Sequence, residues 1–156
     1  MKILFYTLAS ITALAFTNGI YAQDAKVLQP EEPVVLQAHK LQAYEVAPGT
    51  IIDIGLETGD PGANGMVVGQ VSRDVYDYYQ NVVIPAGSKL IGKAVRQVND
   101  RHEVLWNGLQ IPAFAGTLRL NPPLEATMPD GSTGVVGFRP GQQVGTITSD
   151  SFIVPH

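Results

Sequence analysis

The sequence contains no cysteine. This absence excludes a disulfide framework, a thiol nucleophile, zinc–thiolate sites and a lipid-modified N-terminal cysteine. Positive charge is also scarce, since 10 Lys and Arg stand against 14 Asp and Glu for a formal net charge of −4. Because phosphate neutralisation requires clustered Lys and Arg, and those of this chain are dispersed, no nucleic-acid binding is expected.

Spacings that support catalysis or metal binding are missing as well. The histidines do not have the spacing of metal ligands, and solvated surface side chains are expected at His39, His102 and His156. Asp53-Ile54-Gly55 has isoleucine where the aspartic-protease triplet needs a hydroxyl group. The sequence therefore predicts no catalytic residue, no metal site and no cofactor. A secreted hydrolase that uses acids such as Asp53 and Asp74 remains an alternative.

The first residues have the order of a secretory signal peptide. Lys2 precedes an apolar run from Ile3 to Phe16, and Ala22 offers a small residue for cleavage. The run is shorter than the ~20 residues that a spanning helix needs, which leaves an uncleaved anchor as the lesser alternative. We expect a signal peptide at residues 1–22, an extended leader at 23–40 and one β-barrel-like domain at 41–156.

The rest of the chain has the alternation of β-strands. Thr50–Thr58 places Ile52, Ile54 and Leu56 on one face, which is typical of a half-buried strand. Further strands are predicted at Met66–Tyr76, Val82–Ile84, Ser88–Val98, Glu103–Ile111 and Thr117–Leu120, the last closed by Pro122-Pro123. With 16 Gly, 11 Pro and no sustained helical period, the predicted class is all-β, as a single barrel or sandwich.

One hairpin, Ser72 to Gly92, concentrates the aromatic side chains. It carries Tyr76, Tyr78 and Tyr79, which would suit a protein interface or a sugar site, with ordinary strand packing as the alternative. Pro85 fixes φ after the short strand, Gly87 permits a corner with positive φ, and Gly92 leaves room for a close approach.

The order of these motifs resembles a known family. Pro61-Gly62, Arg73–Asp77, Ile84–Ser88, Leu90–Gly92, Arg101 and Trp106 follow one another as in the C-terminal domain of the TrbI-like scaffold proteins of type IV secretion and conjugation channels. The resemblance runs from about Val46 to Pro112, and the tail after Pro112 matches poorly. It implies a non-catalytic structural subunit of the periplasmic and outer-membrane core complex, in contact with other channel subunits and with copies of itself.

The resemblance also directs attention to two sets of residues. The assembly candidates are Arg73, Asp74, Tyr76, Tyr78 and Tyr79, and the turn-shaping candidates are Pro61, Gly62, Pro85, Gly87 and Gly92. Arg73 is expected to bond a carboxylate or a backbone carbonyl at one rim of the barrel.

Localisation and the competing function follow from the same features. Family members cross the outer membrane with a late helical pair, which the segment after Pro112 does not supply, so we expect a periplasmic protein with at most peripheral contact with that membrane. The alternative function is a stand-alone periplasmic binding module, whose ligand surface would combine Tyr76, Tyr78 and Tyr79 with Trp106.

Overall fold

The strand content agrees with the predicted class. A computed structural model of the chain describes residues 38–62 and 64–156. Every regular element in this part is a β-strand, which confirms the all-β prediction. The predicted signal peptide and the predicted leader up to residue 37 lie outside the described residues.

Eleven strands follow one another in the described part of the chain. They are β1 (Glu45–Val46), β2 (Ile51–Leu56), β3 (Met66–Val71), β4 (Val75–Tyr76), β5 (Val82–Ile84), β6 (Lys89–Val98), β7 (Arg101–Gln110), β8 (Leu118–Thr127), β9 (Val135–Val136), β10 (Gln143–Ile147) and β11 (Phe152–Ile153).

Six of these strands close into a barrel. The order around the ring is β6, β3, β2, β10, β8 and β7, and β7 pairs again with β6. All of these pairings are antiparallel. Two short ladders, β4 with β5 and β1 with β11, lie outside the ring. Of the two predicted architectures, the chain therefore adopts the barrel.

The barrel interior is filled by the alternate residues that the sequence pattern assigns to it. Ile52, Ile54 and Leu56 of β2 are all buried, as predicted from their spacing. Trp106 of β7 is the largest fully buried side chain in the described part of the chain. It lies against Gly69 of β3 and Gly92 of β6, where an added Cβ would approach the indole ring. The two glycines make room for the only tryptophan.

The predicted strand from Met66 to Tyr76 is wrong at Ser72–Asp74, where the structure interrupts it. β3 ends at Val71, and pairing resumes in a separate ladder at Val75. The reason is that the backbone of Val71 is occupied by the returning chain, since Gly87 N donates to Val71 O at 2.9 Å and Val71 N donates to Ser88 O at 2.8 Å. The chain after Val71 therefore leaves the barrel wall and forms the outlying β4–β5 ladder.

The prediction that Pro122-Pro123 closes its strand is also wrong. β8 continues through both prolines to Thr127. It pairs with β7 before them, at Leu118 and Arg119, and again after them, at Leu124 and Glu125, with a register shift in between. The stretch between these pairs makes no ladder contact with β7, so it tolerates prolines, which have no N–H group. The ladder resumes after them.

Strand β10 had no counterpart in the sequence prediction. It runs from Gln143 to Ile147 and pairs along its whole length with β2 and in part with β8. Its sequence, Gln-Val-Gly-Thr-Ile, does not alternate strongly, and Thr146 is fully buried. The Thr146 hydroxyl donates to Glu125 O at 2.7 Å, which satisfies a polar group inside the wall.

Candidate functional site

The most definite surface feature is the turn between β4 and β5, from Asp77 to Asn81, which we call the tyrosine turn. The buried carboxylate of Asp77 accepts hydrogen bonds from the backbone N–H groups of Tyr79 and Asn81 and from the Asn81 side chain, each at 2.8 Å. Asp77 N also donates to Asn81 O at 3.0 Å. One aspartate thus fixes the backbone of the whole turn.

The same carboxylate joins the tyrosine turn to the segment before β1. Tyr44 N donates to Asp77 Oδ2 at 2.8 Å, and the Tyr79 hydroxyl donates to Leu41 O at 3.1 Å. Burial raises the pKa of Asp77, but the hydrogen bonds from Asn81, Tyr44 and Tyr79 outweigh it and hold that pKa below its ordinary value. The ionised form is therefore the one that the fold stabilises.

The turn presents tyrosines to solvent. Tyr76, Tyr78 and Tyr79 are 51%, 73% and 52% exposed, and Val82 beside them is also exposed. The rings of Tyr78 and Tyr79 meet edge to face, with centroids 5.5 Å apart. Rigid aromatic side chains provide a large contact area at low entropy cost, which suits them to protein contacts. We call these four residues the tyrosine surface.

Trp106 does not belong to this surface. It is fully buried in the barrel core, where its Nε1 has no hydrogen-bond partner among the described residues. The alternative of a ligand surface that combines Trp106 with Tyr76, Tyr78 and Tyr79 is therefore wrong. The reason is that the side chain of Trp106 points from β7 into the barrel interior, where its indole ring fills the space left by Gly69 and Gly92.

Arg73 and Asp74 form separate contacts near the tyrosine surface. Arg73 Nε donates to Asp53 Oδ2 at 2.8 Å, and both side chains are partly or largely exposed. Asp74 accepts the Ala86 N–H at 2.7 Å and the Tyr76 hydroxyl at 3.4 Å. Arg73 thus ties the bend after β3 to β2, and Asp74 ties it to the start of the next corner.

That corner, Pro85 to Ser88, returns the chain to the barrel wall. Ser88 donates to Pro85 O through its backbone N–H at 3.1 Å and through its hydroxyl at 2.7 Å. Gly87 has a φ of 87°, which an L side chain rarely adopts. The bonds of Gly87 and Ser88 to Val71 then start the β6 ladder. The Pro85 and Gly87 positions are structural parts of the hairpin.

The remaining turn candidates lie elsewhere. Pro61 and Gly62 belong to the loop between β2 and β3, where Gly62 N donates to Asp60 Oδ1 at 2.9 Å and Gly62 has a φ of 62°. Gly92 is not in a turn but in the middle of β6, at a register shift between Ile91 and Gly92. The structure therefore does not gather these three positions with the tyrosine surface.

Of the three histidines, His102 differs from the sequence prediction, whereas His39 and His156 are exposed as expected. His102 is not a solvated turn residue, because it lies in β7, is buried and packs edge to face on Phe138 at 5.0 Å between ring centroids. His39 Nε2 lies 2.6 Å from Glu45 Oε1, and His156 stacks on Tyr44. Among the described residues there is no group of His, Asp and Glu side chains that could hold a metal ion.

Asp53 and Asp74, the acids of the hydrolase alternative, are both engaged in structural contacts. Asp53 pairs with Arg73, and Asp74 caps the Ala86 N–H. Both line a shallow open depression that also includes Tyr76. The contacts explain both acids without a reaction. The absence of catalytic activity stays a prediction.

The residue that sequence reasoning missed is Asp77. The sequence predicted no role of its own for Asp77, yet its carboxylate holds the tyrosine turn together. A local signal was present, since Asp77 and Asn81 bracket a short turn in the spacing that lets an aspartate accept N–H groups two and four residues ahead. Its bond to Tyr44 N, 33 residues earlier, has no local signal.

No helix in the part of the chain that the structure describes is long and apolar enough to cross a bilayer.

The match to a known protein family covers all eleven strands of the described chain. The family model described as "Bacterial conjugation TrbI-like protein" matches residues 45–154. The resemblance thus extends well past Pro112, and the expectation that the tail departs from the family is wrong. Among solved structures, ComB10 of the Com type IV secretion system of Helicobacter pylori matches with a TM-score of 0.60 and 16% identity, over 75% of this chain and 94% of that chain. This likeness shows a shared fold. No curated protein sequence matches the chain.

Proposed function

Because the chain belongs to the bacterial conjugation TrbI-like family, we propose that it is a non-catalytic structural subunit of a type IV secretion or conjugation apparatus. The observation that carries this proposal is the extent of the family match, which includes all eleven strands of the described chain and therefore the whole six-stranded barrel. The likeness of the fold to ComB10 supports the same reading. In this role the barrel would serve as a rigid body, and the surface of the chain would contact neighbouring subunits.

The tyrosine surface, on the outlying β4–β5 ladder, is the part of the chain that we assign to subunit contact. Tyr76, Tyr78 and Tyr79 are exposed, while the polar groups that hold the turn are bonded inside the protein. A partner therefore meets apolar rings on a fixed backbone, and it has few protein hydrogen bonds to displace. The proposed partners are other channel subunits and further copies of this chain.

The proposed location is the periplasm, within the core complex at the outer membrane. The support for export is the signal-peptide pattern of residues 1–22, and the support for the complex is the family. Contact with the outer membrane would be at most peripheral.

Gentle detergent extraction of the native cell envelope tests this function. The chain carries an epitope tag after His156, and its size is measured on native gels. We expect migration in a very large complex together with secretion-channel proteins. A small soluble species in the periplasmic fraction would contradict the proposal. Attention would then turn to the tyrosine surface as a ligand site.

Substitutions separate the subunit role from the role of the tyrosine surface. Tyr76→Ser combined with Tyr78→Ser removes two exposed rings, and Phe114→Ser removes an exposed ring from the loop between β7 and β8 as a matched control. We expect the double variant to leave the large complex and the control to remain in it. If both variants remain, the chain is still a subunit, but its tyrosine surface is not the contact.

A further inference from the structure

A cleft opens in the barrel wall where β8 and the chain after β10 separate. β8 and β10 are paired over two residue pairs, one of which joins Thr146 to Ala126. The same antiparallel register, if continued, would place Phe152 opposite Leu120. Phe152 pairs instead with Val46 in β1. β8 and the segment after β10 thus diverge at a point where the pairing of a barrel wall would normally continue.

Two features of the sequence cause this divergence. Pro122 and Pro123 have no N–H groups, so this part of β8 cannot offer the donors that a continuous ladder needs. On the other side, Thr148 is held by the two residues just before β2, since Thr148 N donates to Thr50 O at 3.0 Å and Gly49 N donates to Thr148 O at 2.7 Å. The chain after Thr148 is therefore directed towards β1 and away from β8.

The gap is an apolar cavity of about 240 Å³ with a charged rim. Its apolar lining comes from Leu109, Leu118, Leu120, Leu124, Phe152 and Val154, and its rim includes Arg119 and Asp150. At Leu118 and Arg119, β8 is paired with β7 on one side. No strand among the described residues is paired with this stretch on the side of the cleft. Backbone groups are therefore open to an added strand.

We propose that this cleft binds an extended segment of a partner polypeptide, which adds to β8 as a strand. The alternation of β8 defines the chemistry of that segment. Leu118 and Leu120 face inward, and Arg119 between them faces solvent. Side chains of an added strand share the faces of their cross-strand neighbours, so the segment places apolar residues in the cavity on either side of one outward-facing residue.

Charge identifies that outward-facing residue as acidic. Arg119 forms no ion pair with any residue that the structure describes. A carboxylate directly opposite it on the added strand would form a cross-strand pair. Asp150 at the same rim disfavours a second acid next to it. The segment that fits is apolar–acidic–apolar, and the cleft shares no residue with the tyrosine surface, so this inference does not depend on the proposed function.

Fluorescence anisotropy with defined peptides tests the proposal on the purified full chain. The probe is fluorescein-labelled Ser-Thr-Val-Glu-Val-Thr-Ser, and the charge control is the same peptide with Lys in place of Glu. We expect saturable binding of the probe and about three- to tenfold weaker binding of the Lys peptide. A third peptide, N-methylated at both valines and at the glutamate between them, cannot donate backbone hydrogen bonds from either strand edge in this stretch, and we expect it not to bind.

Exposed variants locate the binding on the protein. Arg119→Glu should reverse the preference between the Glu and Lys peptides, while Arg139→Glu, an exposed arginine outside the cleft, should leave it unchanged. Far-UV circular dichroism checks that both variants are folded. The proposal is overturned if no peptide binds saturably up to millimolar concentration, if the N-methylated peptide binds as well as the probe, or if Arg119→Glu leaves the preference intact.

Discussion

Substitution of Gly92 by alanine tests whether the tryptophan core depends on the close approach of β6 and β7. A Cβ at residue 92 would lie 2.7 Å from the backbone oxygen of Leu105 and 2.7 Å from Cε3 of Trp106. The first contact is with backbone in the barrel wall and the second is with a fully buried ring. Neither neighbour is the flexible end of a side chain, so the strands themselves must shift.

The expected cost follows from two opposing effects. Forcing an extra methyl group into a packed core costs about 1–3 kcal/mol. Replacing glycine by alanine also reduces the entropy of the unfolded chain, which stabilises the native state by about 0.4–1 kcal/mol. We therefore expect Gly92→Ala to lower the free energy of unfolding by about 1–2 kcal/mol. A domain of this size then melts several degrees lower.

Gly55→Ala is the matched control, because Gly55 also lies inside a wall strand. A Cβ there would meet Gln143 Nε2 at 3.5 Å and Ser72 Oγ at 3.8 Å, which are ordinary contacts with side chains. Only the entropy effect remains, so the control should be neutral or more stable than the wild type by up to about 1 kcal/mol. The sign of the change thus differs between the two glycines.

Urea unfolding at equilibrium measures both variants. Trp106 is the only tryptophan and is buried, so its fluorescence reports on the barrel core, and far-UV circular dichroism supplies an independent probe. The reasoning is refuted if Gly92→Ala is as stable as Gly55→Ala. In the Trp106→Leu background one of the two clashes is removed, and Gly92→Ala should then cost less.

Two further predictions concern the hairpin. Asp77→Asn should lower the melting temperature at neutral pH, because an amide cannot accept the four hydrogen bonds that the carboxylate accepts, and thermal unfolding measures the loss. Because the pKa of Asp77 is lowered in the folded state, its contribution to stability is present above the ordinary value of 3.8 and is lost as the pH falls through the folded-state pKa. The Asp77→Asn variant should therefore lose less stability than the wild type between pH 5 and pH 2. Parallel pH profiles of the two proteins would contradict this. Arg73→Ala should change the free energy of unfolding by less than about 1 kcal/mol, because the ion pair of Arg73 with Asp53 is exposed. Urea unfolding measures this change. A larger loss would show that the pair is essential to the bend after β3.

The parts of the fold that could be predicted from the sequence are those that local chemistry determines. The alternation of Ile52, Ile54 and Leu56 indicates a strand with one buried face, and the structure confirms it. The corner from Pro85 to Ser88 follows from a fixed φ and a glycine. In each case the residues that carry the signal are also the residues that form the contact.

The parts that escaped prediction depend on distant partners. β10 is a strand because β2 and β8 lie on either side of it, although its own sequence alternates weakly. The prolines of β8 would end an isolated strand, but β7 pairs again beyond them. The sequence left open whether the tyrosines are exposed or take part in ordinary strand packing. Their exposure depends on Asp77, which must bind both its own turn and the distant Tyr44 before Tyr78 and Tyr79 are held away from the core.

The hairpin is well defined yet poor in reactive groups, and the structure gives one reason for both properties. Its carboxylates are occupied by the chain itself: Asp77 by the tyrosine turn and Tyr44, and Asp74 by Ala86. A group that must accept several backbone N–H bonds to maintain a turn is not free to exchange protons with a substrate. The rings of Tyr76 and Tyr78 remain on the surface, and their exposure has a cost in water that a partner surface would remove. An ordered surface without available reactive groups suits a protein contact, and this supports the proposed subunit contact at this hairpin.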